Sequence, residues 1–216
     1  MSGLVNQHDL LVHDPAGRAL RVAVPGGGVE VVAANVAAVV DTALAIRLRF
    51  GDAVSHLRVI SFDLSNADLV SGKQAGSAHQ ALSIVHLNAN YVMAQAHGAP
   101  VVPVAFLRQV TAHELWHLID AWLQARRYRD TVELRRAMGE HFGAPSLEHV
   151  TRGDVPGARE RLIAEVSAYA ATNPVEATAE LFEQWWTRPA EQQSPAVRLF
   201  GTLVERYLPP AENGSA

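Results

Sequence analysis

Val110-Thr111-Ala112-His113-Glu114-Leu115-Trp116-His117-Leu118-Ile119-Asp120 is the stretch from which the fold and the chemistry are read. It sits in a run, 104–125, that follows Pro103 and has helical character. Leu107, Val110, Leu115, Leu118, Ile119 and Trp122 make that helix apolar nearly all round. Residues four apart on a helix stand one turn from each other on one face, so the imidazoles of His113 and His117 can ligate the same Zn²⁺. Glu114 lies beside them, placed to take a proton from an activated water and later deliver it to a leaving amine. With ten His and thirteen Glu in 216 residues, H-E-x-x-H is expected by chance about 0.03 times. Two histidines without partners on so apolar a helix would be costly, which favours a metal over a pair of core-satisfied rings.

Working outward, the chain before Pro103 reads as mixed sheet and helix. Residues 10–24 set the turn-prone Asp14-Pro15-Ala16-Gly17 between two apolar runs, a β-hairpin pattern. Residues 30–50 are rich in Ala, Val and Leu at helical spacing and stop at Gly51, predicting a long, mostly buried helix. Residues 57–64 and 81–92 read as strands, separated by a polar stretch, 65–80. After Pro103 the strand signals vanish, and helices are predicted over 104–125, 130–141, 157–172, 174–187 and 194–207, with a loop over 142–156. Sheet first and helices second predicts an α+β fold: one domain over 1–208, with a sheet-rich lobe of about 1–102, a helical lobe of about 103–208 and a frayed tail at 209–216.

Catalytic zinc takes three protein ligands and keeps one position for water, so two histidines are not enough. The continuation H-E-x-x-H-x-x-G-x-x-H is absent, because Asp120 stands at its glycine position and Leu123 at its last histidine. A candidate ligand lies 59 residues beyond His117, within Tyr169-Ala170-Ala171-Thr172-Asn173-Pro174-Val175-Glu176-Ala177-Thr178-Ala179-Glu180. Asn173 suits an N-cap and Pro174 the first helical position, which puts Glu176 in the first turn and Glu180 one turn further on the same face. Asn-x-x-Glu is also a capping pattern, and on that reading Glu176 only returns to the N-cap amide.

The pairing of H-E-L-W-H-L-I-D with Y-x-x-x-N-P-x-E-x-x-x-E-x-F resembles the gluzincin branch of the zinc metallopeptidases, most closely the domain family named after anthrax lethal factor. The resemblance rests on about 104–123 and 165–186, a fifth of the chain; Trp116 departs from it, standing where the family usually has a small residue. It implies a zincin-like fold with the zinc cleft between the two lobes. It further implies His113, His117 and Glu176 as zinc ligands, Glu114 as general base, Glu180 as the acid that orients the first histidine, and Tyr169 as a phenol that supports the oxyanion. In zincins a strand at the cleft rim pairs with the substrate backbone, and 81–92 is the candidate strand here.

Composition bounds the alternatives. A formal charge of -4 gives no global basic field, so nucleic acid is not an expected partner; the expected partner is a peptide or protein substrate. The chain has no cysteine, which removes thiolate zinc sites and cysteine nucleophiles. Neither a leader nor a membrane span is visible, so a cytoplasmic location is expected, with leaderless export as the other route. His86, His141 and His149 are read as solvated or substrate-facing residues. Arg126, Arg127, Arg129, Arg135 and Arg136 are read as a solvated helical face. The sequence therefore predicts a zinc metallopeptidase. The rival is a degenerate zincin fold acting as a zinc-stabilised binding or regulatory module, marked by a closed four-ligand shell. A hydrolase of some non-peptide amide is a second rival.

Overall fold

The computed structural model describes residues 7–14, 16–26, 30–63, 68, 74–93 and 102–208. In chain order its elements are β1 (Gln7–His13), β2 (Ala19–Pro25), α1 (Ala33–Phe50), β3 (Val59–Asp63), β4 (Gly76–His79), β5 (Ile84–Asn88), α2 (Val104–Arg126), α3 (Tyr128–His141), α4 (Leu147–Arg152), α5 (Ala158–Glu165), α6 (Pro174–Thr187) and α7 (Pro195–Tyr207). The class is α+β, with a five-stranded mixed sheet and seven α-helices among the described residues. The chain divides into two compact units, Met1–Leu118 and Ile119–Ala216. The expected tail at 209–216 lies outside the described residues. No helix among those described is long and apolar enough to cross a membrane.

In the first unit the strand order is β1-β2-β3-β5-β4, with β2-β3 and β3-β5 parallel and the two outer pairs antiparallel. Period-2 alternation sorts the side chains: Leu20, Val22, Ile60, Phe62, Val85 and Leu87 are buried on one face, while Arg21, Ser61, Asp63 and His86 project from the other. Each fully buried Val, Leu, Ile or Phe contributes roughly 1.5–3 kcal/mol, so this face anchors the unit. The predicted hairpin is the β1-β2 pair. Its turn is held by Asp14, whose Oδ1 accepts from the backbone N–H groups of Ala16 and Arg18, at 3.0 and 2.9 Å. Helix α1 ends where Gly51, at φ 45°, donates its N–H to the Arg47 carbonyl. Asn35, which interrupts an apolar run, is buried and donates Nδ2–H to the Tyr91 carbonyl at 2.7 Å. Half of α1 is buried, fewer residues than the composition of 30–50 suggests, and Leu48 is exposed.

Two expectations for this unit are corrected. Strand β4 lies inside the stretch read as a polar separator between strands, because Gly76-Ser77-Ala78-His79 has no Val, Ile, Thr, Tyr, Phe or Trp to announce it. Consequently the 81–92 strand, observed as Ile84–Asn88, is paired on both sides and cannot accept a further strand; β4 is the edge on that side of the sheet, and β1 on the other.

The second unit is helical. Asn173 and Ser194 cap α6 and α7, each followed by a proline at the first helical position. Gly201 lets α7 approach the Trp185 indole of α6, in space that a Cβ would occupy. Two boundaries differ from the reading. Helix α4 forms within the predicted 142–156 loop, and the 157–172 helix stops at Glu165. Residues 166–172 turn instead, because Ser167 Oγ accepts from the backbone N–H of Ala170 and offers the chain an alternative to the helical bond.

Candidate metal centre

Helix α2 starts as Pro103 places its carbonyl to accept from the N–H groups of Phe106 and Leu107. Around the motif the helix is almost wholly covered: Ala112, Leu115, Trp116, Leu118 and Ile119 are buried, as are His113 and Glu114 at 8% and 5% exposure. Trp116, the departure from the resembled family, is among the largest fully buried side chains of the chain. The His113 and His117 rings stand 4.9 Å apart, centroid to centroid, and nearly perpendicular at 79°, as the four-residue spacing predicts.

Helix α6 presents the acids. Asn173 Oδ1 accepts from the N–H groups of Val175 and Glu176, at 2.9 and 3.0 Å, so the cap amides are served by the asparagine. The Glu176 carboxylate offers an oxygen that lies within 4.8 Å of a ligand nitrogen from each of His113 and His117, which themselves meet the same limit. Two imidazoles and a carboxylate are a donor set suited to a divalent transition metal, zinc included. A second set with the same mutual limit joins His113 to Glu180 and Glu183. Glu183 lies outside the motif that the sequence offers. Its signal was nonetheless present, since 176, 180 and 183 follow the i, i+4, i+7 rhythm of one helical face. Among the described residues both sets stop at three donors, and His113 is the member they share.

Glu180 is itself held: Ser167 donates its hydroxyl to Glu180 Oε2 at 2.8 Å. An imidazole with an acceptor on the side away from a metal is fixed in tautomer and orientation, and an acceptor that is in turn hydrogen-bonded is fixed as well. Tyr169 lies two residues after Ser167 on the same turn and is 53% exposed, so it is neither helical nor a core tyrosine.

The remaining candidates find local partners. His86 Nδ1 is 3.7 Å from Asp63 Oδ2 on the neighbouring strand, and burial, against the pull of Asp63, keeps its imidazole below the usual histidine range. His141 Nε2 pairs with Glu165 Oε2 at 3.0 Å, and His149 Nδ1 with Ser146 Oγ at 3.0 Å. The arginine group is not uniformly solvated. Arg127 and Arg136 are about half exposed, but the Arg135 side chain is 16% exposed and donates to Asp120 Oδ2 at 3.0 Å, with Glu148 Oε1 at 3.3 Å. Asp120 also accepts from Gln124 Nε2 at 2.7 Å. Burial pushes the Asp120 carboxyl above its ordinary range despite these donors. The carboxylate thereby ties α2 to α3.

Comparison with protein-family models, with curated proteins and with solved structures finds no match to this chain.

Proposed function

We propose that this chain is a zinc-dependent metallopeptidase. The observation that supports it most is the approach, to within 4.8 Å, of ligand atoms from His113, His117 and Glu176, with Glu114 between the two histidines in sequence. His113, His117 and Glu176 would hold the metal, Glu180 would orient His113, and the fourth position would stay open. The metal, when bound, supplies Lewis acidity that polarises the scissile carbonyl and lowers the pKa of water. Glu114 takes the proton of the attacking water and passes it to the departing amine nitrogen. Its 5% exposure keeps competing solvent from the carboxylate. Tyr169 is assigned to the oxyanion, where a phenolic O–H stabilises developing charge. The substrate backbone adds to the edge strand β4, so that main-chain hydrogen bonds hold the peptide independently of its sequence.

The test is elemental analysis of tag-free protein, followed by a peptide-library cleavage screen. About one zinc per chain in the wild type, lost in His113→Ala and Glu176→Ala, is the expected result. Glu114→Gln is expected to keep the zinc and lose nearly all turnover. A Glu114→Gln protein as active as the wild type would overturn the mechanism. Zinc bound with no turnover, in a shell closed by a fourth side chain, would favour a binding or regulatory module.

A further inference from the structure

Edge strand β4 meets helix α2 at two points. An ideal Cβ built on Gly76 would stand 2.7 Å from Glu114 Cγ, 2.8 Å from Oε1 and 3.0 Å from Cδ. Four residues on, Gln80 donates Nε2–H to the backbone carbonyl of His117 at 3.3 Å. The segment 76–80 therefore tracks the H-E-x-x-H turn of the helix. Gly76 has no left-handed φ, so an alanine is refused by the glutamate and not by the backbone.

Neither backbone can yield easily. Gly76 is registered opposite Leu87, whose side chain is fully buried, and β5 is paired to β3 on its other side. Helix α2 is equally constrained, with Ala112, Leu115, Trp116 and Leu118 all at 0% exposure around Glu114. The one soft element in the contact is the glutamate side chain, whose dihedrals can turn to another rotamer. A Cβ at position 76 would be accommodated by moving the carboxylate.

We propose that Gly76 is a positioning residue: the absence of a side chain there lets the Glu114 carboxylate occupy the orientation in which it accepts the proton of the attacking water. The proposal rests on the metallopeptidase reading, and β4 then contributes to proton transfer as well as to substrate pairing.

The test combines Gly76→Ala, Glu114→Asp and the double variant, since aspartate withdraws the carboxyl by one methylene from the space the alanine needs. Zinc content, kcat and KM on a peptide substrate from the library screen, and the urea midpoint of the metal-free proteins are measured for each. Displacement of a reacting group by about 1 Å costs up to roughly a hundredfold in rate. Gly76→Ala is therefore expected to keep its zinc and its KM within about threefold while kcat falls about ten- to a hundredfold. In the Glu114→Asp background the same alanine should change kcat by less than about threefold and should lower the urea midpoint less than it does in the wild type. Unchanged kcat in Gly76→Ala, or an equal loss in both backgrounds, overturns the proposal. If Gly76→Ala fails to fold, the double variant decides: a folded, zinc-binding double variant supports the contact, and an unfolded one overturns it. No zinc and no turnover in the wild type would overturn the metallopeptidase reading, and the catalytic role with it. The midpoint comparison separates that outcome from failure of the steric contact.

Discussion

Replacing Asp120 with alanine removes the acceptor that Arg135 and Gln124 share, at 3.0 and 2.7 Å, on the second half of the helix that carries the candidate ligands. Asp120 is 3% exposed and the Arg135 side chain 16%. Removing one partner of a buried pair costs about 3–5 kcal/mol, because the other charge is left uncompensated. Arg135 keeps Glu148 at 3.3 Å, and that partner is 37% exposed, which moderates the loss. A value of about 2–3 kcal/mol is therefore expected. For a chain of this length it corresponds to a fall of about 5–10 °C in Tm, read by thermal and urea unfolding at pH 7. Asp120→Asn keeps an acceptor and isolates the charge. Burial raises the carboxyl above 3.8, outweighing Arg135 and Gln124, so the folded chain holds this proton to higher pH than the unfolded chain does. The contribution is fully present below 3.8 and is lost as pH rises through the raised value. The stability of wild type minus that of Asp120→Asn should accordingly decline with rising pH across that window. A loss below about 1 kcal/mol in Asp120→Ala, or a difference that climbs with pH, would refute the reasoning.

Glu180→Gln should weaken zinc binding about ten- to a hundredfold, with Ser167→Ala smaller and in the same direction, measured by competition with a chromophoric chelator; unchanged affinity in both would remove Glu180 from the site. Asp14→Asn should destabilise the first unit by about 3 kcal/mol at pH 7, because it strips the charge partner 3.6 Å from Arg47, which is 1% exposed. For Asp14, burial pushes the carboxyl up, but the hydrogen bonds and charge of Arg18 and the charge of Arg47 carry it below 3.8. Its contribution is present above 3.8 and lost as pH falls through the depressed value, so acid unfolding of Asp14→Asn should show a shallower dependence there.

Elements written in local chemistry were legible. The β1-β2 hairpin follows from its turn residues, and α6 begins where Asn173 and Pro174 place it. Local signals failed where the structure depends on what packs nearby. Gly76-Ser77-Ala78-His79 is a strand because β5 offers it a ladder, and α4 forms within a stretch whose glycines and prolines read as loop. Helix α5 ends early because a serine hydroxyl, engaged with a glutamate 13 residues on, competes for the backbone. Arg135 looks like one more solvated cation until Asp120 is found against it.

The sequence by itself determined that His113 and His117 share a helical face with Glu114 between them, and that Glu176 and Glu180 share another. Helical periodicity and capping act over four or five residues and need nothing else. The tertiary structure decided which groups distant in sequence lie near these residues. It brings a Glu176 oxygen near histidines 59 or more residues away, brings Glu180 and Glu183 near His113, and sets Gly76 against the Glu114 carboxylate. Such contacts arise from burying apolar surface between distant segments, and that depends on the shape of the whole packed chain, which no local window contains.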